Sequence, residues 1–208
     1  MDRILRFISL LLSAVLHPLF VPTYAVAALC CVQVRLSGLT VYANAMLWLV
    51  VITLLFTCVI PLLYIIYLRY RNRISDYQLS NRRERDSVYV CSAVSMLFWL
   101  WSMYRIGIRG YLLWFFIAAL LTLVVVMIVN RYWKISIHTA TFGALVGAVA
   151  AYQQHNGLYN MWLLPVLFVV LLLLMYSRIY LKSHTPLQTV CGFLTGLLMV
   201  WLPVAIWF

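Results

Sequence analysis

Seven apolar stretches follow one another along the chain, over about residues 4–32, 44–68, 87–103, 110–129, 135–152, 160–180 and 186–207. A helix needs about 20 mostly apolar residues, with a lower limit of about 17, to cross a bilayer. Each stretch reaches that range, and only short polar connections separate them. The pattern predicts an all-α, multi-pass transmembrane helical bundle of about six to seven membrane helices, forming one domain over residues 1–208. Proline punctuates the first two stretches. His17-Pro18 and Pro22 interrupt the first, and Pro61 lies inside the second. Proline removes a helical hydrogen bond and clashes with the preceding turn, so a break is expected in the first stretch and a kink in the second. The first stretch follows Asp2, Arg3 and Arg6 as a signal peptide would, but no small-residue cleavage site follows it. It is therefore expected to be a retained membrane segment.

Composition agrees with this picture. Of 208 residues, 66% are hydrophobic and 9% charged, against about 25% charged in soluble domains. Cys30, Cys31, Cys58, Cys91 and Cys191 are scattered through apolar runs without metal-type spacing, and are expected to be small buried hydrophobes. Alternating crossings place the connections after the second, fourth and sixth stretches on one side. If the first stretch crosses once, that side would hold Arg3, Arg6, Arg69, Arg71, Arg73, Arg82, Arg83, Arg85, Arg131, Lys134, Arg178 and Lys182, against Arg35, Arg105 and Arg109 on the other. The positive-inside rule would make the first side cytoplasmic, unless the same cations serve a ligand site. The expected partner is the lipid bilayer; no nucleic acid is expected.

The three connections on the basic side carry the candidate chemistry. The loop at 69–86 holds Asp76, Glu84, Asp86 and six arginines. Arg82 and Arg85 are three apart and would share a helical face. Their forked guanidinium groups suit phosphate oxygens, although such loops also touch anionic headgroups. The loop at 130–138 contains Lys134, Ser136 and His138 at the mouth of a helix. His138 is either interfacial or a proton donor beside a bound phosphate. In the loop at 177–188, Thr185-Pro186-Leu187-Gln188 is a helix-start signal, with Thr185 as cap and Gln188 closing a capping box. His184 then stands just ahead of a helix N-terminus, which attracts anions.

These residues carry a family resemblance. Ser177-Arg178, five residues and then His184 is similar to the third signature of the type-2 phosphatidic acid phosphatase superfamily, Ser-Arg-x5-His-x3-Asp. Ile135-Ser136-Ile137-His138 resembles the second, Pro-Ser-Gly-His. The first, Lys-x6-Arg-Pro, is echoed only by Gln78 and Arg85-Asp86. The resemblance implies a metal-independent, cofactor-free hydrolase acting on a phospholipid or polyprenyl phosphate, and a bacterial inner-membrane location. His184 would attack phosphorus and form a phosphohistidine, and His138 would protonate the leaving oxygen. Arg178 and Arg85 would bind the phosphoryl oxygens, with Ser136 adding a hydrogen bond. Arg82 and Lys134 are further candidate substrate-binding cations, and Lys134 or Lys182 could replace the missing lysine.

The departures are specific. Gln188 stands where the family has the Asp that orients the nucleophile, Ile137 replaces a Gly, and the first block lacks its Lys and Pro. They keep open an alternative, a non-catalytic relative that binds or transports a phospholipid or anion. A haem or metal protein using the interfacial histidines is a third reading, which the spacing does not support. Gly143-x3-Gly147 and Gly192-x3-Gly196 follow the two histidines on separate helices. Paired small residues let membrane helices approach closely, so these helices are expected to pack and bring His138 and His184 to one pocket. His17 belongs either to a re-entrant element lining the site or to a plain kink. His155, among Gln153, Gln154 and Asn156, is expected to lie outside the site.

Overall fold

A computed structural model describes residues 2–37, 43–77, 79, 81–157 and 161–207. The chain is an all-α, multi-pass helical bundle. Helices α1 (Asp2–Val15) and α2 (Val21–Ser37) are followed by α3 (Ala43–Leu54) and α4 (Ile60–Tyr70). Then come α5 (Arg85–Arg105), α6 (Tyr111–Tyr132), α7 (Ile137–Asn156), α8 (Leu163–Tyr180) and α9 (Pro186–Trp207). Among the described residues, five helical spans are long and apolar enough to cross a membrane: Asn44–Tyr70, Arg82–Arg105, Tyr111–Tyr132, Leu163–Tyr180 and Pro186–Ile206. Their outward faces carry large exposed apolar side chains, such as Leu97, Phe98 and Trp101 on α5 and Phe168, Val169 and Leu172 on α8. Lipid rather than water suits such a surface.

Each expected interruption has a local cause. Pro61 cannot donate to the turn before it, and the chain absorbs this with a π-turn over Leu55–Val59 that joins α3 to α4, where the Ile60 amide bonds the Leu55 carbonyl. The first stretch is not one kinked helix but two. α1 ends before His17-Pro18, and α2 begins at Val21. With 14 residues, α1 extends only about 21 Å, short of the roughly 30 Å hydrocarbon layer. It buries Ser9 and Ser13 against α8, where the Ser177 hydroxyl donates to the Ser9 carbonyl at 2.7 Å and lies 2.8 Å from Ser13 Oγ.

The core sits between α2, α5, α6, α7 and α9. Trp99 stacks on Phe116 at 3.7 Å between ring centroids, with Val26, Met103, Ala148, Val200 and Val204 packed around them. Polar atoms in this layer are paired: Trp99 Nε1 donates to Thr53 Oγ1 at 3.0 Å, and the Tyr111 hydroxyl donates to the Ala148 carbonyl.

The contact that positions the site is between α7 and α9, which run parallel with their backbones touching. All four paired glycines face the opposite helix. A Cβ on Gly196 would collide with the Ala140 carbonyl, and one on Gly143 with the Phe193 carbonyl. One on Gly147 would stand 2.6 Å from Leu197 O, and one on Gly192 2.5 Å from Ser136 O. Glycine at these four positions thus lets the two backbones touch. A bond from Ser136 N to the Gln188 carbonyl at 3.3 Å ties their starting ends together.

Candidate functional site

At that end of the bundle, the α1–α2 break and the starts of α5, α7 and α9 meet around one cavity, which His17, His138, His184, Arg85 and Arg178 line with their polar groups. Pro22, Ile65, Met96, Ala119 and Leu123 extend its walls into the bundle as an apolar recess. Among the described residues, no Asp or Glu lines it.

The spacing of Arg178 and His184 has a backbone explanation. α8 ends in a tight reverse turn in which Lys182 N bonds Ile179 O at 2.9 Å and Ser183 N bonds Arg178 O at 3.1 Å. This is a Schellman closure, with Lys182 at φ +53° in the left-handed position that usually takes glycine. The His184 amide also reaches the Arg178 carbonyl at 3.3 Å. Five intervening residues are therefore what one turn needs to return the histidine to the level of the arginine.

Gln188 performs both tasks that the sequence left open. Its Oε1 accepts from Thr185 N at 3.1 Å and lies 3.2 Å from His184 Nδ1, while Thr185 Oγ1 accepts from Gln188 N at 3.4 Å. The backbone N–H can only donate, so the atom facing it must be the amide oxygen. That oxygen can only accept, so His184 Nδ1 carries the hydrogen and Nε2 keeps its lone pair. His184 is 6% exposed. Burial, then the Arg85 and Arg178 guanidinium groups, push its pKa down to about 3, with Lys134 adding to the effect and the Gln188 bond opposing it. The imidazole is thus neutral and unprotonated at Nε2 near pH 7.

Arg85 and Arg178 are each 5% exposed. Arg85 Nε donates to the Leu79 carbonyl at 2.8 Å. Among the described residues, Arg85 Nη1 and Arg178 Nε have no hydrogen-bond partner. Unpartnered buried guanidinium atoms are costly, and two of them in one cavity have the charge and the free donors that would suit an anion. The loop before α5 is itself ordered by side-chain acceptors: Asn81 Oδ1 caps the turn by accepting from Arg83 N at 3.2 Å, and Glu84 Oε2 accepts from Ser75 N at 2.9 Å.

The remaining sequence candidates are distributed differently. Arg82 does not join Arg85 in the cavity wall; its Nη1 donates to Tyr132 O at 2.8 Å, clamping the loop to the end of α6. Ser136 is fully buried beneath α9 and does not line the cavity. Lys134 stands close enough to Arg85 and Arg178 that they, after burial, lower its pKa, with Asp76 opposing. Lys182 is exposed on its turn. Asp86 pairs with Arg131 at 3.8 Å. Gln78 lies outside the described residues. His155 is exposed on the last turn of α7, a helix length from the cavity. His17, for which sequence also left a plain kink, lines the cavity, its ring 5.3 Å from that of His138. The His-Pro break in an apolar run was the only signal that could have found it.

Residues 130–208 match the PAP2 superfamily, the family that the signatures resemble. No curated protein matches the chain, and no solved structure matches it. The family match supports a phosphatase-type function in general.

Proposed function

Taking residues 130–208 as a segment of the PAP2 superfamily, we propose that the protein is a membrane phosphatase that hydrolyses a lipid phosphate or pyrophosphate through a phosphohistidine. The observation that carries this is the His184–Gln188–Thr185 network, which leaves a neutral Nε2 lone pair beside two unpaired arginine donors. Arg85 and Arg178 hold the phosphoryl oxygens and offset the charge that grows on them. His184 Nε2 forms a bond to phosphorus as the ester P–O bond breaks, and the leaving oxygen takes a proton from His138. His138 then removes a proton from water as its oxygen attacks phosphorus; the N–P bond breaks and inorganic phosphate leaves. The phosphate would sit at the membrane interface, and the chain of the lipid in the apolar recess lined by Pro22, Met96 and Leu123. An integral protein of a bacterial inner membrane fits this role.

A second reading is favoured by Gln188. An amide oxygen fixes the histidine tautomer but cannot stabilise an imidazolium as a carboxylate does, so a protein that binds or moves a phospholipid or anion without hydrolysis also fits. One experiment decides. The purified protein and its His184→Ala variant are assayed in detergent for phosphate release from several lipid phosphates, with a chelator and no added metal. Release by the wild type and at least a 10³-fold loss in the variant are expected, in the range seen for loss of a nucleophile. Equal release by both would sink the phosphohistidine. No release by either, with orthovanadate still bound, would establish the second reading.

A further inference from the structure

The N-terminal break contributes a group that neither the signatures nor the matched segment contains. Four polar contacts hold it in place. Thr57, in the π-turn between α3 and α4, shares its one hydroxyl hydrogen between Thr53 O at 2.9 Å and Leu19 O at 3.4 Å, and its Oγ1 lies 3.3 Å from Thr23 Oγ1. The Tyr24 hydroxyl donates to Val15 O at 3.0 Å across the break. Phe20 N closes the turn onto His17 O at 2.9 Å. The imidazole of His17 is thereby turned into the cavity, edge to face with His138 at an interplanar angle of 83°.

Its tautomer follows from the backbone. Leu19 N–H donates to His17 Nδ1 at 3.4 Å. A nitrogen that accepts carries no hydrogen, so the proton of the neutral ring is on Nε2. Among the described residues, that N–H has no hydrogen-bond partner, and it belongs to a ring that lines the same cavity as Arg85 and Arg178. A neutral donor at this place strengthens anion binding without adding a third positive charge beside the two guanidinium groups.

We propose that His17 is a substrate-binding residue of this site, donating its Nε2–H to a phosphoryl oxygen held by Arg85 and Arg178. It supplies one donor where the first signature block lacks its lysine. The proposal rests on the reading that the cavity takes a phosphate. The competing role is purely steric, with the His17 ring buttressing His138.

Two substitutions separate these roles. His17→Gln keeps an amide N–H near the Nε2 position and loses the aromatic ring. His17→Phe keeps the ring and loses the donor. Binding of inorganic phosphate to the purified full chain is measured by titration calorimetry, and hydrolysis of a monoacyl glycerol phosphate is resolved into kcat and KM. A donor role requires His17→Gln to bind phosphate within about threefold of wild type and His17→Phe to bind about tenfold or more weakly, the size of one hydrogen bond to a charged group. The reverse order would overturn the donor in favour of the buttress. Equal effects of both substitutions, or none, would overturn it as well. Wild type that binds phosphate while neither variant differs refutes His17 alone. Folded wild type that neither binds nor hydrolyses refutes the phosphate reading and this proposal with it.

Discussion

One side-chain oxygen at position 188 has two duties, capping α9 and fixing the tautomer of His184. A Gln188→Glu substitution keeps the geometry of both and adds the missing charge. It should raise the His184 pKa from about 3 and stabilise the imidazolium character that develops during transfer. In a serine-protease triad the loss of such a carboxylate costs about 10⁴ in rate, so Gln188→Glu should raise kcat for lipid phosphate hydrolysis at least tenfold. Gln188→Leu should lower kcat and remove about 1 kcal/mol of stability with the capping bond, read from thermal unfolding in detergent. At this scale the Arg178–His184 pair was legible because one local turn fixes its spacing, and His138 because it stands at a helix start. Arg82 was misplaced because it is drawn to the Tyr132 carbonyl at the end of α6, a partner 50 residues away that no local spacing encodes. His17 stayed ambiguous because its role depends on a contact with His138 that no local pattern encodes.

Among the elements, the α7–α9 pair fixes the distance between the two histidine-bearing loops. Gly196→Ala would drive a methyl group into the Ala140 carbonyl, against backbone that cannot yield without moving a helix. We expect a loss of about 1–3 kcal/mol, typical of overpacking, and a fall in phosphate binding, because the starts of both helices separate. Gly157→Asn is the control. Its φ is +62° with no atom within 4 Å of an added Cβ, a helix end that asparagine tolerates, and melting should be nearly unchanged. The glycine pairs were readable in advance because close approach leaves a mark in sequence. The division of the first stretch into two helices was readable only as a proline signal. What α1 packs on depends on Ser9 and Ser13, whose polarity within an apolar run makes sense only once Ser177 is beside them.

For the molecule as a whole, the cavity is assembled from parts far apart in the chain: the first break, the start of α5, and the turns before α7 and α9. Arg85 and His17 both lie outside the segment that matches the family, so that segment cannot form the site by itself. The buried guanidinium groups also make the fold a sensor of its ligand. Inorganic phosphate or orthovanadate should raise the melting temperature of the wild type in detergent in a concentration-dependent way. At one hundred times the dissociation constant the gain would be about 2.7 kcal/mol. Arg178→Gln should abolish most of that rise, and an equal rise in the variant would show that the anion binds elsewhere.

The absence of any carboxylate from the described cavity wall sets heat resistance against use. An acid introduced on the cavity wall within reach of Arg85 and Arg178 would satisfy the arginines internally and raise the melting point while closing the site to anions. Selection for robustness alone would therefore erode this pocket, and its persistence as an acid-free, arginine-lined space would be the signature of selection for what it binds.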